Sequence, residues 1–153
     1  MHTTLLELFR NIHQTVFLSA CGLYKNAYHN IRYALELVEQ SYYIDTKLPD
    51  SDFNERLDAL FNIENNPRYR GSALVNKLNL NSTLKDLINS EYEKLHKKVH
   101  STYKQFKYTA YHFMDDRYQS VYVDCSEVSN ICNSNVAVID FFYYLLLTRF
   151  ARA

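Results

Sequence analysis

Helix-breaking residues are scarce in this chain. Only two glycines and two prolines occur among 153 residues, and tryptophan is absent. Because tight turns depend on glycine and proline, their scarcity predicts long elements joined by short connections. The length fits one domain spanning residues 1–153, which is enough chain to bury a sizeable core.

The chain also lacks net charge, since 17 basic residues balance 17 acidic ones. This excludes a strongly basic domain, the simplest electrostatic sign of nucleic-acid binding, although it leaves room for a local basic patch. No glycine-rich phosphate loop occurs, which disfavours a nucleotide-hydrolysing motor. A basic segment followed by an apolar run is missing at the N-terminus, so we expect no secretory signal.

The three cysteines, Cys21, Cys125 and Cys132, predict neither a disulfide nor a metal site. Their number is odd and their spacing matches no metal-ligand motif. On one helix, the Cα atoms of Cys125 and Cys132 would lie about 10 Å apart, too far for a disulfide. We therefore expect reduced, mostly buried thiols in a cytoplasmic protein that holds no metal and no other cofactor.

An apolar run near the C-terminus is too short to predict a membrane span. Residues 136–147, VAVIDFFYYLLL, are apolar for 12 residues apart from Asp140, whereas a bilayer requires ~20. The run favours a core helix or a subunit interface, and no membrane association is expected. Because an unpaired buried carboxylate is costly, Asp140 is expected to pair with Arg32 or a lysine.

Apolar residues recur at helical spacing along most of the chain. The fold class predicted from this pattern is all-α, an antiparallel bundle of about five helices joined by short loops. Capping-box patterns at Asp52–Glu55 and Asp124–Glu127 mark two helix starts. The five helices are predicted at about Thr3–Ala20, Tyr24–Thr46, Asp52–Ile63, Ser82–Tyr103 and Asp124–Phe150, with a short helical piece at Ala73–Leu78.

Two of these helices carry specific expectations about burial. The inner face of the first is predicted to consist of Leu5, Leu8, Phe9, Ile12 and Val16, and that of the third of Leu57, Leu60 and Phe61. Between the last two helices, residues 110–114 look helical and residues 118–123 are predicted to form a loop.

The candidate site lies on the predicted helix that begins at Ser82. His96 and His100 are four residues apart, so they lie one above the other on a helix. Imidazole titrates near neutrality, which suits one ring to accept a proton and another to donate one in general acid–base catalysis. Neighbouring lysines would hold a phosphate as point charges; they are Lys94, Lys97 and Lys98.

Two alternatives to catalysis stay open for this histidine pair. Both rings could border an apolar stripe and make structural hydrogen bonds only. The spacing also occurs on metal-binding helices, but no glutamate follows His96, and a third ligand would have to come from His112. We predict no metal site.

Arg32 and Glu36 form a second polar pair at helical spacing. We expect a partly buried ion pair that orients the helix carrying His100. In an alternative arrangement, Arg32 reaches the His100 cleft itself. Tyr103 and Tyr108 are the tyrosines best placed to stack on unpaired bases beside the lysines.

Three stretches together carry a family resemblance. They are GLYKNAYHNIRYALELVEQSYYID at 22–45, with Arg32-x-x-x-Glu36 and the pair Tyr42-Tyr43, the acidic helix around Arg56-Leu57, and YEKLHKKVHSTY at 92–103. The chain resembles a group of uncharacterised helical proteins from thermoacidophilic crenarchaea and, more distantly, the HEPN superfamily. Active HEPN members carry an arginine, then four to six intervening residues, then a histidine. Here no arginine has that spacing, and Lys94 before His100 is the nearest match.

The resemblance implies a dimeric helical bundle. Many HEPN proteins are metal-independent ribonucleases in defence or toxin–antitoxin systems, and others are non-catalytic binding modules. The expected function is therefore a nucleic-acid-associated protein, either an endoribonuclease acting on single-stranded RNA or a degenerate relative. The alternative is a non-catalytic dimerisation or protein-interaction module. The expected partners are a second copy of the chain, single-stranded RNA, or another protein.

Overall fold

The computed structural model describes residues 2–100 and 124–150. Within these ranges the chain forms α-helices and one turn of 3₁₀ helix, Pro67–Tyr69, with no strand, which confirms the all-α prediction. The helices are α1 (His2–Ala20), α2 (Tyr24–Lys47), α3 (Phe53–Glu64), α4 (Ser72–Val75), α5 (Ser82–His100) and α6 (Cys125–Phe150). The expectations for residues 101–123, including Tyr103, Tyr108 and His112, lie outside the described residues.

Helices α1 and α2 form a hairpin. Gly22 adopts a φ of 72° in the connecting turn, a left-handed conformation that glycine takes without steric cost. Thr4 and Ser41 share a hydrogen bond of 2.6 Å at the open end, and Asn30 Nδ2 donates to Gln14 Oε1 at 3.5 Å nearer the turn. Rising numbers on α1 therefore meet falling numbers on α2, so the two helices run in opposite directions.

The face of α1 that packs into the molecule is mostly polar. Its buried residues are Thr4, Leu8, Asn11, Thr15 and Ser19. Each of three side chains donates to the carbonyl one turn back, as Thr15 Oγ1 does to the Asn11 oxygen at 2.7 Å. Because these polar groups are satisfied within their own helix, burying them costs little, and their small size lets α1 approach its neighbours closely.

The predicted inner stripe of α1 is therefore only partly right. Leu8 is buried and Leu5 and Ile12 are half-buried, but Phe9 and Val16 are exposed. The periodicity identified an amphipathic helix correctly, but the polar side of that helix is the one that faces inward.

Helix α2 runs through the centre of the core and contacts every other helix of the described residues. Its inner residues are apolar and fully buried, as Ile31, Leu35 and Val38 show. The same cluster takes in the apolar stripes of α5 and α6; the members from those helices are Leu84, Ile88, Tyr92, Leu95, Val99, Ile131, Val138, Phe142 and Leu145. The core thus fixes the position of α5 against α2.

Helix α3 begins with the predicted capping box. The Glu55 backbone N–H donates to Asp52 Oδ1 at 2.9 Å, and the Asp52 N–H donates back to the Glu55 carboxylate at 3.2 Å. The predicted inner side of α3 is wrong for Leu57 and Phe61, which are exposed, while Ile63 is buried.

The physical reason for this orientation of α3 is Arg56. Its guanidinium forms a 2.6 Å ion pair with the buried carboxylate of Asp45 on α2. It also donates to the carbonyl oxygens of Leu48, Pro49 and Ser51 in the connecting loop. These bonds turn the Arg56 side of α3 toward α2, and residues on the opposite side point to solvent.

Helix α6 begins at a capping residue, Asp124, whose Oδ1 accepts from the backbone N–H of Ser126 at 2.8 Å and of Glu127 at 3.3 Å. The hydroxyl and backbone donors of Ser126, together with the Glu127 N–H, lower the pKa of Asp124. The Glu127 carboxylate does not close the predicted box, because it binds side chains of other helices.

Two expectations about α6 and the cysteines need revision. All three cysteines are free and exposed, so the prediction of mostly buried thiols is wrong. Helix α6 carries two of them on its outer side. The stretch Cys125–Thr148 is also long and apolar enough to cross a membrane by length and composition. The absence of membrane association therefore stays a prediction.

Candidate functional site

The candidate site lies where the end of α5 meets the first half of α2. The Tyr92 hydroxyl donates to Glu39 Oε2 at 2.9 Å, and Lys98 Nζ lies 5.6 Å from the ring centroid of Tyr28. Rising numbers on α5 therefore meet falling numbers on α2. This pairing puts residues 96–100 beside residues 25–32.

Helix α6 begins at the same end of the molecule. The Asp124 N–H donates to the Tyr24 hydroxyl at 2.6 Å, and the Tyr28 hydroxyl donates to Glu127 Oε2 at 2.6 Å. Lys98 Nζ donates to the other oxygen of Glu127 at 2.5 Å. Burial, followed by the hydrogen bond to Glu127, raises the pKa of Tyr28. These bonds join α2, α5 and α6 beside the histidines.

His96 and His100 lie next to each other on the exposed side of α5. Their ring centroids are 4.4 Å apart and their planes are inclined by 46°. Both side chains are exposed, so solvent and a ligand can reach them. The rings are therefore not buried against the leucine side chains of α5, and the alternative in which they border the apolar stripe with a structural role only stays open.

Three basic side chains of α2 act on the same imidazole. Partial desolvation lowers the pKa of His100, and the positive charges of His96, Arg32, His29 and Lys25 lower it further. The five side chains share one surface, which we call the basic cluster. The pairing of α5 with α2 places Arg32 at the same end of the molecule as His100, and the arrangement in which Arg32 reaches the His100 cleft stays a prediction.

Sequence reasoning did not identify His29 and Lys25 as site residues. Lys25, His29 and Arg32 recur at helical spacing on α2, which placed them on one face. That pattern alone is common on solvated helices. Its meaning depends on the pairing of α2 with α5, which sequence spacing does not reveal.

Arg32 and Glu36 form the predicted ion pair, with 3.1 Å between Arg32 Nε and Glu36 Oε1. Both side chains are partly buried. Only Nε is used in this bond, and the terminal nitrogens of Arg32 have no acceptor among the described residues. A planar guanidinium with two available nitrogens is suited to hold a phosphate.

The lysines predicted to bind phosphate are each close to a carboxylate. The pairs are Lys94–Glu91 at 3.1 Å, Lys97–Glu93 at 3.9 Å and Lys98–Glu127 at 2.5 Å. Each ammonium is thus partly neutralised within the protein. The phosphate-binding role of these lysines stays a prediction, and Arg32, itself paired with Glu36, and Lys25 add two further cations on α2.

Asp140 does not need the partner that its sequence surroundings predicted. The residue is exposed on the outer side of α6, so its carboxylate keeps its hydration and pays no burial cost. The expectation that Asp140 is buried is wrong. The apolar run around it covers both sides of the helix, and only one side faces the core.

The most deeply buried acid of the described residues is Glu39, which sequence reasoning missed. Its side chain is 1 % exposed, and Oε1 has no hydrogen-bond partner among the described residues. Burial raises the pKa of Glu39 well above the ordinary value, and the hydrogen bond from Tyr92 opposes that shift. The pKa of Tyr92 is raised as well, by burial and then by Glu39. This pair lies inside the bundle and is structural.

No group of three histidine, cysteine or acidic side chains in the described ranges is arranged to hold a metal ion. A second polar surface lies at the other end of α2, where Tyr43 and Tyr69 meet edge to face at 5.6 Å. Lys77 Nζ lies 3.3 Å from the Tyr69 ring centroid. The two tyrosines line an open cavity of about 670 Å³, but it contains no imidazole.

Comparison with known proteins gives no relative: no family model, no curated protein and no solved structure matches this chain.

Proposed function

We propose that this protein is a HEPN-like, metal-independent endoribonuclease that cleaves single-stranded RNA at the basic cluster. One observation carries the proposal: the pairing of α2 with α5 brings Arg32 to the same end of the molecule as His96 and His100, although no arginine precedes His100 at the HEPN spacing. A guanidinium beside two imidazoles is the chemistry that the missing sequence motif would supply. Membership of the HEPN superfamily and a crenarchaeal relationship are parts of this proposal.

His100 serves as the general base in this scheme. Its lowered pKa favours the neutral ring, which can accept the proton of a ribose 2′-hydroxyl. The 2′-oxygen then attacks the adjacent phosphorus, and the bond from phosphorus to the 5′-oxygen breaks. His96 acts as the general acid and donates a proton to the leaving 5′-oxygen. The products are a 2′,3′-cyclic phosphate and a free 5′-hydroxyl.

Arg32 and Lys25 neutralise the charge that develops on the phosphoryl oxygens during this step. Cleavage needs no ion, since both proton transfers use protein groups. The protein acts as a homodimer in the cytoplasm, in a defence or toxin–antitoxin setting.

A cleavage assay on end-labelled single-stranded RNA in EDTA tests the proposal. Wild-type protein is expected to cleave, and His100→Ala to reduce the rate by about 10²-fold or more, the usual contribution of a general base. Arg32→Ala is expected to cost about 10²-fold, with partial recovery in Arg32→Lys. Lys47→Ala removes an exposed cation about 22 Å further along α2 and is expected to leave the rate unchanged. Absence of cleavage by pure wild-type protein contradicts the proposal.

A second candidate function is a non-catalytic module for dimerisation or protein interaction. It is favoured by the large apolar side chains exposed on α1, including Leu6 and Phe17. Under this alternative the basic cluster has no role in cleavage. Pure protein that forms a stable dimer, cleaves no RNA and retains that dimer in His100→Ala supports the module.

A further inference from the structure

Helix α1 presents an apolar surface to solvent. Its outer α1 face consists of Leu6, Phe9, His13, Val16, Phe17 and Ala20, which recur at helical spacing opposite the buried side. The four large apolar side chains are all more than half exposed, at 65 % for Leu6, 52 % for Phe9, 54 % for Val16 and 68 % for Phe17.

Rotating α1 about its own axis would not bury these apolar side chains within the same chain. The inner side of α1 is a seam of small polar residues whose hydroxyl and amide groups are satisfied by the helix backbone. That seam fits closely against α2, and Thr4 also bonds Ser41 across the hairpin. Turning α1 over would place two phenylalanines where threonine and serine now fit. The outer α1 face is therefore available for another molecule.

The scarcity of charge on α1 indicates which kind of molecule binds the outer α1 face. Helix α1 contains no lysine, and its single arginine, Arg10, pairs with Glu7 at 3.4 Å. Helices that lie on membranes are rich in lysine and arginine, so a lipid surface is disfavoured. A strongly charged partner would find nothing to pair with. An uncharged apolar surface is compatible with a second surface of the same kind.

We propose that the outer α1 face binds the same face of a second copy, with the two α1 helices antiparallel about a two-fold axis at His13. In this register the residue numbers of facing pairs sum to 26. Phe9 of one copy then meets Phe17 of the other, and Leu6 meets the small Ala20. Val16 meets Arg10, whose aliphatic stem packs on apolar surface while its charge stays in water. A two-fold axis is the commonest symmetry of homo-oligomers.

A groove beside the axis suits this arrangement. It has a volume of about 540 Å³ and lies between α1 and α2, with His13, Phe17 and Leu18 among its lining residues. Phe9 of the opposite copy faces Phe17 and thus arrives at the edge of this groove. An aromatic anchor entering a partly apolar groove is typical of the energetically dominant contacts in protein interfaces.

The outer α1 face supplies much of the area that a specific dimer needs. The four exposed side chains offer on the order of 450 Å² of apolar surface per copy. A standard interface buries roughly 800 Å² per partner, so these four side chains supply more than half, and the groove walls add to it.

This inference rests on the homodimer of the proposed function and names its interface. It does not depend on catalysis. A monomeric protein that cleaves RNA would contradict the interface alone, and a dimeric protein that cleaves no RNA would contradict the ribonuclease alone. The two results are therefore distinguishable.

Light scattering after size exclusion tests the interface on the full chain. Wild-type protein at tens of micromolar is expected to have twice the mass of one chain, and Phe17→Glu and Phe9→Glu half of the wild-type mass. Phe61→Glu is the matched control, because Phe61 on α3 is 66 % exposed, close to the 68 % of Phe17. It is expected to keep the dimer. A monomeric wild type, or one that binds neutral lipid vesicles as a monomer, overturns the proposal.

Cross-linking tests the symmetry axis. In a chain whose three cysteines are replaced by serine, His13→Cys lies opposite its own copy and is expected to be joined into dimers by a short bis-maleimide. Phe61→Cys, equally accessible, is expected to stay monomeric on denaturing gels. Efficient cross-linking at residue 61 and none at residue 13 overturns the proposed axis even if a dimer exists.

Discussion

Helices α1 and α5 have the same length, 19 residues each, and are both amphipathic, yet they use their two faces in opposite ways. Helix α5 buries Ile88, Leu95 and Val99 and exposes Lys94, Lys97 and both histidines. Helix α1 buries threonine, asparagine and serine and exposes phenylalanine and leucine. Periodicity alone therefore tells which residues share a face, and what covers the face decides whether it is inside.

The two helices also differ in how they satisfy buried polar groups. On α1, Thr15 and Ser19 bond the carbonyl four residues back within the same helix. On α5, Tyr92 reaches Glu39 on α2. A local bond survives any change of neighbours, whereas a bond between helices holds only in one arrangement. The α2–α5 pairing, which carries the basic cluster, is consequently the more specific one.

The largest expected effect is on the free energy of unfolding, and it compares a buried side chain of α5 with an exposed one of α1. Leu95→Ala removes a fully buried side chain of α5 and is expected to lower the free energy of unfolding by about 3 kcal/mol, from lost burial and the cavity left behind. Phe17→Ala removes a larger side chain from α1, which is 68 % exposed, and is expected to cost less than about 0.5 kcal/mol in the monomer.

Urea denaturation measures both variants at a concentration where the chain is monomeric. Equal losses for Leu95→Ala and Phe17→Ala would mean that the outer α1 face is buried within one chain. In that case the contrast between the two helices, and the interface inferred from it, would be lost.

A smaller effect concerns the acid buried between α2 and α5. The folded protein holds the proton of Glu39 to higher pH than the unfolded chain does, because burial raises the pKa from its ordinary 4.5. As pH rises above that ordinary value, the folded state binds more protons than the unfolded state, so stability falls. Glutamine does not titrate, so Glu39→Gln does not lose stability in this way as pH rises. It is expected to be about 1 kcal/mol more stable than wild type at pH 7.

The check is urea denaturation of both proteins between pH 4 and pH 8. The advantage of Glu39→Gln should shrink toward zero at pH 4, where the wild-type carboxyl is protonated in both states. Tyr92→Phe removes the hydrogen bond that lowers the pKa of Glu39, so its stability should fall more steeply with pH than that of wild type. A difference between Glu39→Gln and wild type that is constant across this range contradicts the account.

Local sequence rules predicted the helices well because helix starts and stops depend on neighbouring residues. The bounds of α1 and α2 agree with the prediction within one residue at each end. The capping box at Asp52 is confirmed for the same reason. At Asp124 the box fails in its second half, since Glu127 binds Tyr28, 99 residues away, in preference to the nearby backbone.

In the candidate site too, features within one helix could be predicted, and features that depend on packing between helices could not. The proximity of His96 and His100 is a property of one helix and could be predicted from their spacing. The approach of Arg32, His29 and Lys25 depends on how α2 packs against α5, which no short-range pattern encodes. Asp140 was expected to be buried because its neighbours are apolar, but α6 turns it outward, as it does Cys125 and Cys132.

The smallest expected effect is a change in the pKa of His100. It concerns the outer faces of the two helices, since that of α5 carries charge and the outer α1 face does not. Each cation of the basic cluster disfavours the protonated form of His100, so removing one raises the pKa of that ring. The increase is expected to be larger for His96→Asn than for Arg32→Gln and smallest for Lys25→Gln. None should restore the ordinary 6.5, because desolvation, the largest cause, remains.

NMR titration of the His100 ring measures these pKa values, and Lys47→Gln is the control expected to cause no change. Because the folded pKa lies below 6.5, the unfolded chain binds more protons in the interval between the two values, and stability rises with pH there. Raising the pKa of His100 narrows this interval and flattens the rise. A His100 pKa that is unaffected by all three substitutions would mean that α2 does not reach the imidazoles, and the cluster would then reduce to two histidines on a solvated helix.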